Sequence, residues 1–140
     1  MKWVLTSLMV IVILAVGLSL WARLAPSDPD HWHVMPNKPR DINQEGAALR
    51  VVVAQEDTLA RLHDIILDEP RTIMLAGSVE DGMITYITRS ALFGFPDYTT
   101  VWQNGSELAV YGRLRIGYSD LGVNAARIDR WLALLGQGGG

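Results

Sequence analysis

Polar side chains crowd the stretch from residue 113 to residue 127: Arg113, Arg115, Ser119, Asp120, Asn124 and Arg127. In an extended segment Ala109, Tyr111, Arg113 and Arg115 share one face, and Leu108, Val110, Gly112, Leu114 and Ile116 the other. The second set reads as core, while the first holds two guanidinium groups about 7 Å apart. A turn follows in which Gly117 and Gly122 supply backbone freedom, and Arg127 falls one turn into the helix after it. Guanidinium groups beside the free N–H groups of a helix start favour a carboxylate or a phosphate, which makes this a candidate ligand-binding corner. A purely structural arrangement uses the same residues: Asp97 and Asp120 neutralise the arginines and Asn124 caps the helix.

Other chemistry finds fewer parts. Ser119 beside Asp120 would need a histidine, and the nearest candidate, His63, sits on a helical stretch where it most simply faces solvent. His31-Trp32-His33 offers two imidazoles for a metal, without a third or fourth ligand nearby, so we expect a docked Trp flanked by solvated histidines. The doublets Glu56-Asp57, Asp68-Glu69 and Glu80-Asp81 stand at element ends, where capping and turns account for them. No cysteine is present, which removes disulfides, thiolate zinc sites and cysteine nucleophiles. No catalytic residue, metal or cofactor is assigned. A formal charge of -3 without a Lys/Arg block gives no footprint for a nucleic-acid partner.

The elements that must position the corner are legible in part. Trp3 to Ala22 is uncharged and bounded by Lys2 and Arg23, about the length needed to cross a bilayer. A cleaved signal shares these features, but Arg23 and Pro26 around Ala25 are a poor cleavage site, so residues 1–23 read as an anchor. Trp3 and Trp21 suit the two membrane interfaces. The short basic N-terminus places the rest outside the cytoplasm, on the periplasmic side of an inner membrane. Residues 24–48, with Pro26, Pro29, Pro36 and Pro39, read as a tether.

Residues 49–136 read as one small domain. We expect a strand at 50–54, a helix capped by Asp57 and stopped at Pro70, a strand at 71–76, and an Asp81-Gly82 hairpin into 83–89. Strands at 98–103 and 107–117 flank Asn104-Gly105, and a helix over 125–135 lines up Ile128, Trp131, Leu132 and Leu135. Residues 137–140 form a fraying tail. The fold class is α+β: an N-terminal transmembrane helix, then a small antiparallel sheet with two helices on one face, the other face being open.

The motif Phe93-Gly94-Phe95-Pro96-Asp97, with the run from Arg113 through Gly117, Ser119, Asp120, Gly122 and Asn124 to Arg127, resembles the bacterial and plastid family called domain of unknown function 1499. The likeness spans about Val51 to Leu135. Family members usually read Ser-Arg-Ser-Arg before the glycine, whereas this chain has Gly112-Arg113-Leu114-Arg115 and lacks both serines. The resemblance implies a small domain, often membrane-attached, with no established activity.

The function expected from these readings is a single-pass membrane-anchored, non-enzymatic domain. It binds a protein partner, or an anionic or amphipathic ligand such as a lipid, at the basic corner. The alternatives are a hydrolase or transferase using Ser119 or Asp120 with His63, and a structural subunit of a membrane complex.

Overall fold

Uncharged from Trp3 to Ala22 and free of proline, the N-terminal stretch forms helix α1 (Lys2–Leu24) in a computed structural model that describes residues 1–138. Its length and composition fit a membrane anchor or a signal sequence. Five further elements end at residue 78: a one-turn helix α2 (Pro29–Trp32), strands β1 (Ile42–Gln44) and β2 (Ala47–Val53), helix α3 (Thr58–Leu67) and strand β3 (Thr72–Ser78). Strands β4 (Met83–Arg89), β5 (Pro96–Asn104) and β6 (Glu107–Leu114) precede helix α4 (Val123–Gln137). The strands form one antiparallel sheet in the order β1-β2-β6-β5-β4-β3. This is the α+β class expected from the sequence.

Turn chemistry sets the register. Gly82 and Gly105 take left-handed φ values of 75° and 58° in the β3–β4 and β5–β6 hairpins, as Asp-Gly and Asn-Gly turns require. A bulge between Met74 and Ala76 shifts β3 against β4 and brings Gly77, at φ 84°, opposite Ile84. Between β1 and β2, Glu45-Gly46 makes a turn, so that pairing begins before residue 49. The expected strand 107–117 ends at Leu114, and α4 continues through Gln137, the first residue of the expected tail. Residues 139 and 140 of that tail lie outside the described residues.

Helices α3 and α4 pack on one sheet face over Leu59, Leu62, Ile66, Ile84, Tyr86, Val101, Leu108, Val110, Ile128 and Trp131. The parity read from β6 holds, with Gly112 beneath α4. Asp57 stands at the N-cap of α3 but makes no capping bond. The Gln103 Oε1 accepts from the Leu59 N–H at 3.0 Å instead, and the Thr58 hydroxyl accepts from the Gln55 N–H.

The opposite face is not open. Residues 26–33, read as tether, lie across it as a strap. Trp32 stacks on Tyr98, ring centroids 3.8 Å apart and planes within 9°, and the Ser27 hydroxyl lies 2.6 Å from the Tyr98 hydroxyl. Proline limits regular structure here to the single turn of α2, with Pro29 at its first position, and leaves backbone carbonyls of the strap free to accept from the sheet.

Candidate functional site

The polar residues between 113 and 127 divide between the two faces of the sheet. Arg113 and Arg115 point at the strap. Arg113 is 7 % exposed, and among the described residues no carboxylate lies within salt-bridge distance of it. Its guanidinium donates to the Thr100 hydroxyl (2.8 Å), the Tyr111 carbonyl (3.1 Å) and the Trp32 carbonyl. It lies between the rings of Trp32 and Tyr111, 5.6 and 4.6 Å from their centroids. Burial draws its pKa down to about 10, against the opposing pull of Tyr111 and Tyr98. Arg115 donates to the Pro26 carbonyl at 2.9 Å and the Tyr98 hydroxyl at 3.1 Å.

The direction of each proton in this layer follows from donor capacity. Arg113 only donates, and the Thr100 hydroxyl gives its one hydrogen to the Trp32 carbonyl, 3.2 Å away. Thr85, 2.8 Å from Thr100, must therefore donate to it and accept from the His33 Nδ1, also 2.8 Å away. His33 thus carries its proton on Nδ1 and is engaged with the sheet, contrary to the expectation of a solvated ring. Its neighbour His31 is exposed and meets the Trp32 ring edge-on at 4.7 Å. The strap runs on, so the two imidazoles do not converge.

Arg127, Asn124 and Asp120 lie on the helix face. The Arg127 Nη1 is 3.3 Å from the Asp97 Oδ2 and 3.3 Å from the Asn124 Oδ1. Asn124 does not cap α4. It is fully buried one residue inside the helix, over Gly112, where a Cβ would come within 2.9 Å of its Oδ1. Asp120 does the capping, accepting from the N–H groups of Gly122 (2.8 Å) and Asn124 (3.1 Å) and from the Asn124 Nδ2 (2.8 Å). The Ser119 hydroxyl accepts from the Leu121 N–H. Gly117 and Gly122 take φ values of 99° and 78°, the freedom expected of them.

Asp97, Ser119, Asp120 and Arg127 line a cleft of about 310 Å³ at the end of the sheet where β5 starts and α4 begins; Arg71 and Arg89 line it too. Pro96 opens β5 opposite Arg89, and Phe95 stacks on Phe93 with centroids 5.2 Å apart. Burial raises the Asp97 carboxyl above its ordinary value, with the nearby Arg127 pulling the other way. Burial also acts upward on Asp120, but the bonds from Asn124 and Gly122 outweigh it and hold that carboxyl below its ordinary value.

His63 is not part of the cleft. Its Nδ1 lies 2.8 Å from the hydroxyl of Tyr86, a fully buried side chain under α3 whose ionisation burial pushes upward, with Asp64 adding to the effect. The ring therefore faces the sheet, where it gives the buried Tyr86 hydroxyl a partner.

Arg71 and Arg89 were missed in the sequence. Both flank the β3–β4 pair, and neither the left-handed φ of 57° at Arg71 nor the fold-back of Arg89 has a local signature. The position of Arg127 was readable: the parity that sends Gly112 toward the helices also sends Arg113 away from any residue on α4.

Asp120 gives a pH-dependent test. Asp120→Ala should cost about 1–2 kcal/mol in unfolding free energy at neutral pH. A carboxyl held below its unfolded-state value stabilises the fold above the carboxylate range, and that contribution vanishes as pH falls through the folded-state value. Chemical unfolding in mild detergent should therefore find wild type and variant converging in acid; a gap independent of pH would remove the charge from the cap.

No curated protein matches the chain. The model of a family described as proteins of unknown function, DUF1499, matches residues 23–135. Since that match runs from the last turn of α1 through strap, sheet and cleft to the buried end of α4, the chain belongs to the DUF1499 family.

Proposed function

We propose that the chain is a single-pass membrane-anchored, non-enzymatic domain that takes an anionic or amphipathic ligand into the cleft between Arg71, Arg89 and Arg127. One observation carries this reading: among the described residues the carboxylates of the cleft are each held by a partner, while two of its cations, Arg71 and Arg89, donate to backbone carbonyls and face no carboxylate. Asp97 faces Arg127 at 3.3 Å, Asp120 caps α4, and Glu69 holds Arg130 at 2.7 Å and the Trp131 indole at 3.0 Å. Among the described residues Arg71 and Arg89 have no carboxylate within salt-bridge distance, and Arg71 spends its Nε on the Arg89 carbonyl. The two guanidinium groups without a carboxylate are forked donors, which suits a carboxylate or phosphate headgroup. Arg113 and Arg115 move from ligand contact to holding the strap. The periplasmic side of an inner membrane remains the proposed location, from the basic N-terminal flank.

The test is native mass spectrometry of the full-length protein from mild detergent. A co-purifying anionic amphiphile, lost in Arg71→Glu, is the expected result. An empty protein, or a ligand retained unchanged by Arg71→Glu, overturns the cleft as its site. A stoichiometric protein partner in its place favours the complex-subunit reading.

Acid–base chemistry is the second reading, favoured by Asp97 and Asp120 being shifted in opposite directions within one cleft. Its signature is turnover lost in Asp97→Asn with ligand binding retained.

A further inference from the structure

The loop between β4 and β5 does not simply cross the end of the sheet; it runs alongside α1. The Ser19 hydroxyl donates to the Phe93 carbonyl at 3.0 Å. Arg23 donates to the Phe93 carbonyl at 2.9 Å, to the Leu92 carbonyl at 3.2 Å and to the Ser19 hydroxyl. Gly94, at φ 72°, is where the chain passes the Arg23 side chain, which a Cβ would meet at 2.8 Å. Leu92 and Phe93 then share an apolar groove of about 260 Å³ with Ala15, Val16, Ser19 and Leu20.

The depth of that groove matters. Val16 precedes Ala22, the last residue of the uncharged run, by six positions, about 9 Å along a helix axis. A bilayer that covers α1 to Ala22 therefore also covers the level at which Leu92 sits. The loop is built for that medium. Ser90-Ala91-Leu92-Phe93-Gly94-Phe95 contains no charge, and Leu92 is 76 % exposed.

Five of its six carbonyls are also supplied with partners, which non-helical chain at membrane depth needs. The carbonyls of Leu92 and Phe93 accept from α1, and that of Gly94 accepts from Arg89 at 2.9 Å. Those of Ser90 and Phe95 accept from the N–H groups of Gly94 and Ser90, and the Phe95 N–H donates to the Ser90 hydroxyl. Arg89 also donates to the Ala22 carbonyl at 2.8 Å, which fastens the end of the anchor to the same corner.

From this geometry we infer that the loop Ser90–Phe95 enters the leaflet from which α1 emerges, with Leu92 and Phe93 in contact with lipid acyl chains. The occupant is the bilayer, because the surface is continuous with the helix that spans it. This rests on the anchor reading of α1 and holds for either orientation of the chain in the membrane.

The lack of cysteine makes the test clean. Single variants Leu92→Cys, Val12→Cys in mid-helix and Val53→Cys at the far end of the sheet would carry an environment-sensitive fluorophore. Each full-length protein is reconstituted in phosphatidylcholine–phosphatidylglycerol vesicles and quenched with aqueous iodide. All three side chains are exposed in the fold, so labelling leaves the core intact, which a melting curve verifies. The Leu92 label should be quenched several-fold less than the Val53 label and approach the Val12 label. Quenching of Leu92 equal to that of Val53, with Val12 protected, would put the loop in water while the anchor stands. Full quenching at Val12 would overturn the anchor reading and this inference together.

Discussion

Gly77→Ala should cost the fold about 3 kcal/mol or more, from a left-handed backbone that alanine resists and a clash that cannot relax. The added Cβ would lie 2.0 Å from the Met83 carbonyl oxygen, which belongs to the neighbouring backbone, and 2.7 Å from the His33 ring. With φ at +84° neither obstacle is removed by a rotamer change. Small domains hold only about 5–15 kcal/mol in total, so the loss is a large share. Denaturant titration in mild detergent reads it directly. A variant within about 0.5 kcal/mol of wild type, the scale of ordinary surface substitutions, would show that the β3 bulge rearranges to accept a side chain.

The second large effect is expected at Arg113. Arg113→Ala leaves the Trp32 carbonyl with the Thr100 hydroxyl and the Val34 N–H as partners and opens a hole between two aromatic rings. The expected loss is about 2–4 kcal/mol, from charge-assisted hydrogen bonds and packing removed together. Arg113→Lys should recover only part of it, because an ammonium cannot reach hydroxyl and carbonyl at once as the fork does. Hydrogen exchange separates this from general weakening: amides of residues 31–33 should lose protection in Arg113→Ala while those of β4 keep theirs. Unchanged protection of the strap would mean that stacking of Trp32 on Tyr98 suffices to hold it.

Local chemistry was legible and long-range chemistry was not. Asp81-Gly82 and Asn104-Gly105 announced their hairpins because only a few residue types accept left-handed φ. Ile128, Trp131 and Leu135 announced the buried stripe of α4, and the alternation through Gly112, Arg113 and Leu114 announced two faces. The strap left only a partial mark: Trp32 was legible as a docked ring, but the arginines that pin its path do so through the carbonyls of Pro26 and Trp32, groups every residue carries. Prolines that exclude a regular helix or strand look the same in a free tether and in a chain pinned to a sheet. His63 was misread for a related reason: on a helical stripe it is polar and so assigned to solvent, while its partner Tyr86 lies 23 residues away. The cleft was half visible, through Ser119, Asp120 and Arg127. Arg71 and Arg89 join it only once β3 and β4 are paired.

The strap also imposes an order of assembly. Arg113 and Trp32 are separated by 81 positions in the chain, and the surface that receives the strap includes β6 next to β5. During synthesis the N-terminal segment is already available to the membrane while the residues that will grip the strap are still untranslated. Strap closure is therefore a late event, paying the loop-closure entropy only when the sheet can repay it. Until then the strap and the strands that will receive it are apart, and that interval is when a chaperone or a protease would find them.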